Sequence, residues 1–519
     1  MIPADKARRA LSIEDVPPRS LAVSPLEALS IGTVRQLLRE SGWLFVGQIA
    51  AILMSLLATR SLIEILPQAT YGEFILLIGF ATLVSTLGTA AFSNGTIRFY
   101  YEMDRQGRRQ ELMGTVWGVS VIISMLVAGV IVLALMAFGE SHPSLVLAVI
   151  LLGSGMIGIC IGQPVINLTR RRCAFAALRV LYAGLAPMLA AGVAYSTEAD
   201  LTKILWGYAL GNMGVTSLTL WVVSRSGDFA LTQLRQASWR MLKQLLSFGA
   251  PAVLAALLAW VLSIGDRYLL RYFADSRQVA IYTIGYQAGT FAPAFFSAFF
   301  LTIVSPLIMQ TYELEQSKVP NMGLWCGLYT CLSLPILVGC FIFPEVILHI
   351  LTSSTMYAES WRIVPFSACA LAFYGFEQVG AYVLHLRQRL ILGLAFAALG
   401  AAVNMTLNLV LIPRLGYMGA AVSTVVGYLL ELIVAVIYTR RLFHWHLAWQ
   451  WPAIGLTAAL VAGAIAQMAR ILLSRAELGA LLWVSAYGIM CLFILSGLVW
   501  RARRKIDLRF FVSPLEVNW

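Results

Sequence analysis

Few side chains in this sequence are equipped for chemistry, and most of those interrupt apolar runs. Asp266 and Arg267 sit together near the end of a long apolar stretch that begins at Leu246. Arg60 stands near the end of another, and Glu377 and Glu431 fall inside two more. A charge inside a membrane-length helix costs about 2.5 to 3.5 kcal/mol at the bilayer centre, so such a group usually faces something other than lipid. The planar fork of arginine donates paired hydrogen bonds to phosphate, which makes Arg60 and Arg267 candidates for a cavity or gate that meets an anionic substrate. The plainer alternative for both is snorkelling to the headgroups. Asp266 suits either an ion pair with Arg60 or a coupling cation. Desolvation favours the neutral form of a carboxyl, so Glu377 and Glu431 join Asp266 as ion-coupling candidates. Asn404 and Asn408 share one helical face at i, i+4; their amides suit a polar ligand or neighbouring helices.

Other signals lead nowhere. The seven cysteines form no Cys-x-x-Cys pair, so they read as small core residues rather than a disulfide or metal framework. His444-Trp445-His446 lies beside Arg440 and Arg441 and reads as an interfacial anchor. There is no phosphate-cradling glycine loop and no Gly-x-Ser-x-Gly elbow. The expectation is therefore a protein without cofactor or resident metal that is not an enzyme.

The elements that must position these residues are set by composition. Of 519 residues, 60% are hydrophobic and only 12% are charged, against roughly 25% charged in soluble domains. That is an all-α polytopic membrane protein. A net charge of +12 is explained by basic cytoplasmic loops rather than by nucleic acid. Runs of about 20 apolar residues occur at 43–65, 71–94, 112–138, 144–168, 175–196, 202–223, 246–270, 279–305, 321–344, 361–384, 390–412, 417–438, 451–471 and 479–500. These make about fourteen transmembrane helices.

Alternate loops carry the positive charge: Arg98, Arg105, Arg108 and Arg109; Arg170, Arg171 and Arg172; Arg225, Arg235, Arg240 and Lys243; Arg387 and Arg389; Arg440 and Arg441, while the loop after the eighth span has only Lys318 among acidic residues. This alternation predicts an even span number, with both termini in the cytoplasm. The predicted organisation is a cytoplasmic tail and interfacial helix over 1–42, an N-lobe over 43–223, a linker over 224–245, a C-lobe over 246–438, two appended spans within 439–500 and a cytoplasmic tail over 501–519. Each lobe has six spans. Arg60 followed by Tyr71-Gly72-Glu73-Phe74 in the first half parallels Arg267 followed by Val279-Ala280-Ile281-Tyr282 in the second. Paired halves around a central site are a common build of secondary transporters.

Four stretches carry a resemblance: TYGEFILLIGFATLVSTLGTAAFSNGTIRFYYE at 70–102, the Leu246–Tyr286 segment, PEVILHILTSSTMYAESWRIVPF at 344–366 and NMTLNLVLIPRLGYMGAAVSTVVGYLLE at 404–431. In this order they resemble the polysaccharide flippases (Wzx-type) of the multidrug/oligosaccharidyl-lipid/polysaccharide exporter superfamily. Ala280 and Ser354 stand where that family usually has glycine. The resemblance covers about residues 42–440. It implies a MATE-like pair of lobes opening alternately to each side and a polyprenyl-pyrophosphate-linked glycan as cargo. It also implies a bacterial inner membrane, Na⁺ or H⁺ coupling, membrane lipids as surroundings, and a glycan polymerase and glycosyltransferases as partners. A lipid II flippase or a multidrug exporter of the same superfamily is the alternative. A membrane glycan polymerase or ligase fits less well, because the outer loops are short.

Depth refines the site. At 1.5 Å per residue, Arg60 and Arg267 lie roughly 25 to 30 Å above the inner ends of their spans, toward the outer side. The pair Asp266-Arg267 is thus expected at an outer gate, opposite Arg60. Successive residues point about 100° apart around a helix, so Asp266 and Arg267 need not pair with each other.

Overall fold

The computed structural model describes residues 31–137, 142–314, 322–387, 389–443, 447–472 and 480–503. The N-terminal tail to residue 30, His444-Trp445-His446 and the tail from residue 504 lie outside them. The first lobe is built from α1 (Ile31–Ile65), α2 (Gln68–Arg105), α3 (Arg109–Ala137), α4 (Pro143–Leu168), α5 (Arg172–Ser196) and α6 (Leu201–Ser224). The second comprises α7 (Trp239–Trp260), α8 (Asp266–Phe273), α9 (Ser276–Leu314), α10 (Met322–Ile342), α11 (Pro344–Leu351), α12 (Val364–Leu386), α13 (Leu390–Leu415) and α14 (Tyr417–Phe443). Then come α15 (Gln450–Leu472) and α16 (Ala480–Arg503).

Every predicted span coincides with helix. A backbone in hydrocarbon must satisfy its own hydrogen bonds, and a helix does so within one segment. Among the described residues, 11 spans are long and apolar enough to cross a membrane. The stretches at α6, α12 and α16 run 24, 23 and 24 residues. Boundaries moved in two places. α1 runs unbroken from Ile31, so no helix end separates the stretch before residue 43 from the first span. The linker is shorter than expected: a 3-10 turn covers Leu231–Gln236, and the seventh span already begins at Trp239.

The seventh span is not one regular helix. Between α7 and α8 it passes through a π-helical segment, Val261–Gly265. Such bulges break the regular ladder and recur at functional sites. The segment ends directly before Asp266.

Within the first lobe, α1, α5, α6, α4 and α2 pack in sequence; within the second, α9, α12, α14 and α13 do. α15 packs on α10, and α16 on α15 and α11. The lobes meet along α2, which packs against both α7 and α9. Small residues make these crossings close. A Cβ on Gly72 would strike the Ser276 carbonyl, so the tip of α2 lies directly against the start of α9. The two hairpins that look alike in sequence therefore meet at their tips.

The arginine-rich loops gather at the other end. Arg171 donates to the carbonyls of Val222 (3.2 Å) and Arg225 (3.0 Å), and Arg109 to that of Ser226 (3.3 Å). Asp228 is buried there. It accepts from the Tyr100 hydroxyl at 3.0 Å, pairs with Arg109 Nε at 3.1 Å, and its carbonyl receives Trp117 Nε1 at 2.9 Å. This fastens the connection between the lobes to α2 and α3.

Candidate functional site

The π-helical turn aims Asp266 into the second lobe. The residue is fully buried. Its Oδ1 lies 3.2 Å from Arg267 Nη1. Its Oδ2 accepts from the Tyr282 hydroxyl and, at 3.3 Å, from the Thr424 hydroxyl. Asn404 Nδ2 reaches the Thr424 hydroxyl at 3.4 Å, and Asn408 Nδ2 donates to Asn404 Oδ1 at 3.1 Å. α8, α9, α13 and α14 thus converge on one polar cluster inside hydrocarbon-facing helices. One atom is left over: Asn408 Oδ1 is buried without a hydrogen-bond partner.

Arg267 is equally enclosed, at 5% exposure. Its Nε donates to the Thr283 hydroxyl at 3.0 Å and its Nη1 to the Ser263 carbonyl. The guanidinium lies 5.4 Å and 5.0 Å from the ring centres of Tyr282 and Tyr286. One expectation changes: Asp266 pairs with its neighbour Arg267 and not with Arg60, because both side chains turn into the second lobe. Arg267 lines neither of the two cavities described below. Of the two alternatives for Asn404 and Asn408, the structure shows bonds between them and to Thr424 of a neighbouring helix.

Arg60 belongs to a separate seam between the lobes. Its Nη1 donates to the Ile350 carbonyl at 3.1 Å and its Nη2 to the Ser353 hydroxyl at 3.4 Å. One turn on, Glu64 Oε1 accepts from the Ser353 amide (2.6 Å), the Ser353 hydroxyl (2.9 Å) and the Thr352 hydroxyl (3.2 Å). Tyr357 donates to the Leu66 carbonyl at 3.1 Å. On the α2 side, Tyr268 reaches the Leu76 carbonyl at 2.7 Å, Trp260 the Gly79 carbonyl at 3.1 Å, and Glu73 meets Arg271 at 3.8 Å. The end of the bundle away from the arginine-rich loops is therefore closed by contacts from both lobes.

Below that closure, two cavities adjoin. One, of about 330 Å³, lies between α1 and α9 and carries the polar side chains Gln48, Ser55, Thr59, Gln287 and Thr290. Gln287 Oε1 is buried there without a partner. The other, of about 530 Å³, is almost wholly apolar and is walled by α9, α10, α11 and α16, including Phe296, Ile336, Phe343 and Leu492. Leu56, Phe291 and Leu351 line both cavities, so the two share a wall.

Glu377 and Glu431 lie in neither cavity nor in the Asp266 cluster. Both are buried in the second lobe, where Glu377 Oε2 accepts from Gln378 at 2.8 Å. Among the described residues no cluster of three or more His, Cys, Asp or Glu side chains occurs.

Sequence reasoning singled out Asp266, Arg267, Asn404 and Asn408 but missed what joins them. Thr424 and the Ser263 carbonyl are unremarkable in a sequence. Ser55, Thr59 and Thr290 of the polar cavity are equally ordinary in any helix. Gln48 and Gln287 do stand out as amides within spans.

Residues 37–312 match the family described as "Polysaccharide biosynthesis protein". The chain belongs to that family. It is also 26% identical over 215 residues to the uncharacterised membrane protein MJ1068 of Methanocaldococcus jannaschii, covering 40% of this chain. The matching part spans 41% of that relative's length. In fold, this polysaccharide biosynthesis family member is similar to the lipid II flippase MurJ in an inward closed conformation. The TM-score is 0.67 at 12% identity, over 88% of this chain and 98% of that one. It is also similar to an inward-facing multidrug resistance MATE family transporter of the MOP superfamily. There the TM-score is 0.53 at 14% identity, over 78% and 94% of the two chains. The two-lobed all-α membrane fold is common to all three.

Proposed function

We propose that this family member carries a lipid-linked oligosaccharide from one leaflet to the other by alternating access of its two lobes. The observation that carries the reading is the adjoining pair of cavities, one polar and one apolar, beneath a closed end. An amphiphile with a hydrated head and a long chain needs both surfaces side by side. Gln48, Ser55, Thr59, Gln287 and Thr290 offer donors and acceptors for sugar hydroxyls. The apolar cavity takes isoprenoid chain without leaving polar groups unpaired. Arg60 follows Thr59 of the polar wall; it bonds a carbonyl and a hydroxyl beside the Glu64 carboxylate, and its planar fork would reach a pyrophosphate once those seam contacts open.

The arginine-rich end faces the cytoplasm of a bacterial inner membrane in this reading, supported by the clustering of the basic loops. The substrate loads from the enzymes that assemble it on that side. Glycosyltransferases would supply it and a glycan polymerase would consume it.

The Asp266 cluster suits a coupling cation. Hard cations take oxygen ligands, and Asp266, Thr424, Asn404 and Asn408 supply them on three helices. The unpartnered Asn408 Oδ1 is the feature that an ion would satisfy. Arg267 then competes with the ion for the same carboxylate, so that occupancy changes what holds α8 against α13 and α14.

Native mass spectrometry tests the substrate class. The intact lipid-linked oligosaccharide should bind more tightly than either the free glycan or the bare polyprenyl phosphate, and Gln287→Leu should weaken only ligands that carry sugar. Equal binding of the bare lipid, unaffected by Gln287→Leu, would sink this assignment.

A further inference from the structure

The second lobe contains two carboxyl groups that the Asp266 cluster does not use. Glu377 on α12 is 4% exposed and Glu431 on α14 is 5% exposed. α12 and α14 pack directly on one another, and the two carboxyls lie within electrostatic reach. Glu431 lies over Gly400 of α13, where an added Cβ would sit 3.4 Å from its Oε2. That oxygen is buried and has no hydrogen-bond partner. Glu377 Oε2 has only the amide of Gln378, at 2.8 Å. Neither carboxyl has an ion-pair partner among the described residues.

The titratable groups that face the pair are tyrosines. Tyr374 stands on α12 and Tyr428 on α14, their ring centres 5.6 Å apart. Tyr428 lies beside Tyr286 of α9, and beyond it lies Asp266 at the head of α8. α10 presents Tyr329, whose hydroxyl lies against Gly375. α13 presents Gly400 and the neutral Asn404. Among the described residues no lysine, arginine or histidine is interposed to neutralise two negative charges. Two neighbouring carboxylates in a low-dielectric interior cannot both ionise without a compensating cation.

We propose that Glu377 and Glu431 form a second ion site of this lobe, a neighbouring pair of buried carboxyls that carries at least one proton. The unpartnered Glu431 Oε2 above Gly400 is the vacant acceptor. The proton occupies an O–H bond on one carboxyl, and its transfer to the other leaves the total charge of the pair unchanged. Release from the pair gives a proton to water and leaves a second negative charge, which only an opened, hydrated lobe tolerates. The site therefore makes proton occupancy depend on conformation, separately from a cation at Asp266. The inference extends the transport reading above, but its test needs no transported substrate.

The test is infrared difference spectroscopy on the full-length protein in lipid, stepped in pH without sodium or substrate. Wild-type protein should show the carbonyl stretch of a protonated carboxyl that disappears on alkalinisation. Glu431→Gln and Glu377→Gln should each shift that band in frequency and titration midpoint, and the double variant should abolish it, while Asp266→Asn should retain it. Gln is close in shape to Glu, and size-exclusion and thermal melting identify any variant that has not folded; either folded single variant reads the coupling. A band unmoved in the folded single variants, or one that vanishes only in Asp266→Asn, overturns the assignment. Loss of the band together with unaltered binding of lipid-linked glycan would leave the transport reading standing on its own evidence.

Discussion

Glu64→Ala should open the closed end of the bundle. The Glu64 Oε1 atom accepts three hydrogen bonds from the Thr352–Ser353 segment, at 2.6, 2.9 and 3.2 Å. These tie α1 of one lobe to the segment after α11 of the other. Net contributions of about 0.5 to 1.5 kcal/mol per bond must be taken at the low end, because Glu64 is exposed and solvent screens it. Three bonds then favour the closed arrangement by about 1.5 kcal/mol. Their loss should raise the ratio of open to closed molecules about 13-fold. The remaining contacts, from Tyr357, Tyr268 and Trp260, keep the closed form accessible. Pulsed electron–electron distance measurement can read this ratio. Spin labels at Tyr195→Cys on α5 and Tyr272→Cys on α8, both largely exposed, straddle the seam; the background would lack the seven native cysteines. The wild type should give one dominant distance. Glu64→Ala should add a longer one, and Glu64→Gln should fall between them. An unchanged distribution in Glu64→Ala would show that these bonds do not hold the lobes together.

Other perturbations separate the remaining parts of the structure. Asn408→Ala should weaken the stabilisation of the protein by sodium about tenfold in apparent affinity, measured by thermal melting against salt, with choline as control; an unshifted sodium titration would remove Asn408 from the ion site. Gln287→Leu should weaken binding of the lipid-linked oligosaccharide about fivefold, through one lost hydrogen bond of about 1 kcal/mol; unchanged affinity would place the sugar elsewhere. Asp228→Ala leaves Arg109 and Tyr100 without their buried acceptor and should lower stability by about 2 kcal/mol. Chemical or thermal unfolding in detergent checks this, and an undiminished midpoint would mean that water replaces the carboxylate.

Much of the architecture was legible because lipid imposes one demand on every span. A run such as 144–168 is long and apolar enough to cross, and it is α4 almost to the residue. The arginine clusters marked one end because a single charge rule governs all loops. Asp266 and Arg267 stood out for the same reason, since their cost in hydrocarbon demands a partner. What the sequence concealed was rotation about the helix axis. Depth bookkeeping says how far along its span Asp266 lies but not which side it faces. The π-helical turn at Val261–Gly265 alters the facing direction, and nothing in Val-Leu-Ser-Ile-Gly announces it. Asn404 and Asn408 were seen as one face, yet only packing against Thr424 decides that the face turns inward. Glu64 drew no notice in the sequence because its partners, Thr352 and Ser353, lie nearly 290 positions away.

The central claim is translocation itself, and flipping in liposomes tests it most directly. Purified protein would be reconstituted with a fluorescent lipid-linked oligosaccharide, and inner-leaflet label would be followed by its protection from an impermeant quencher. The account predicts protein-dependent redistribution that accelerates under an imposed sodium or proton gradient and slows in Gln287→Leu. A rate equal to that of protein-free vesicles under every gradient would contradict it.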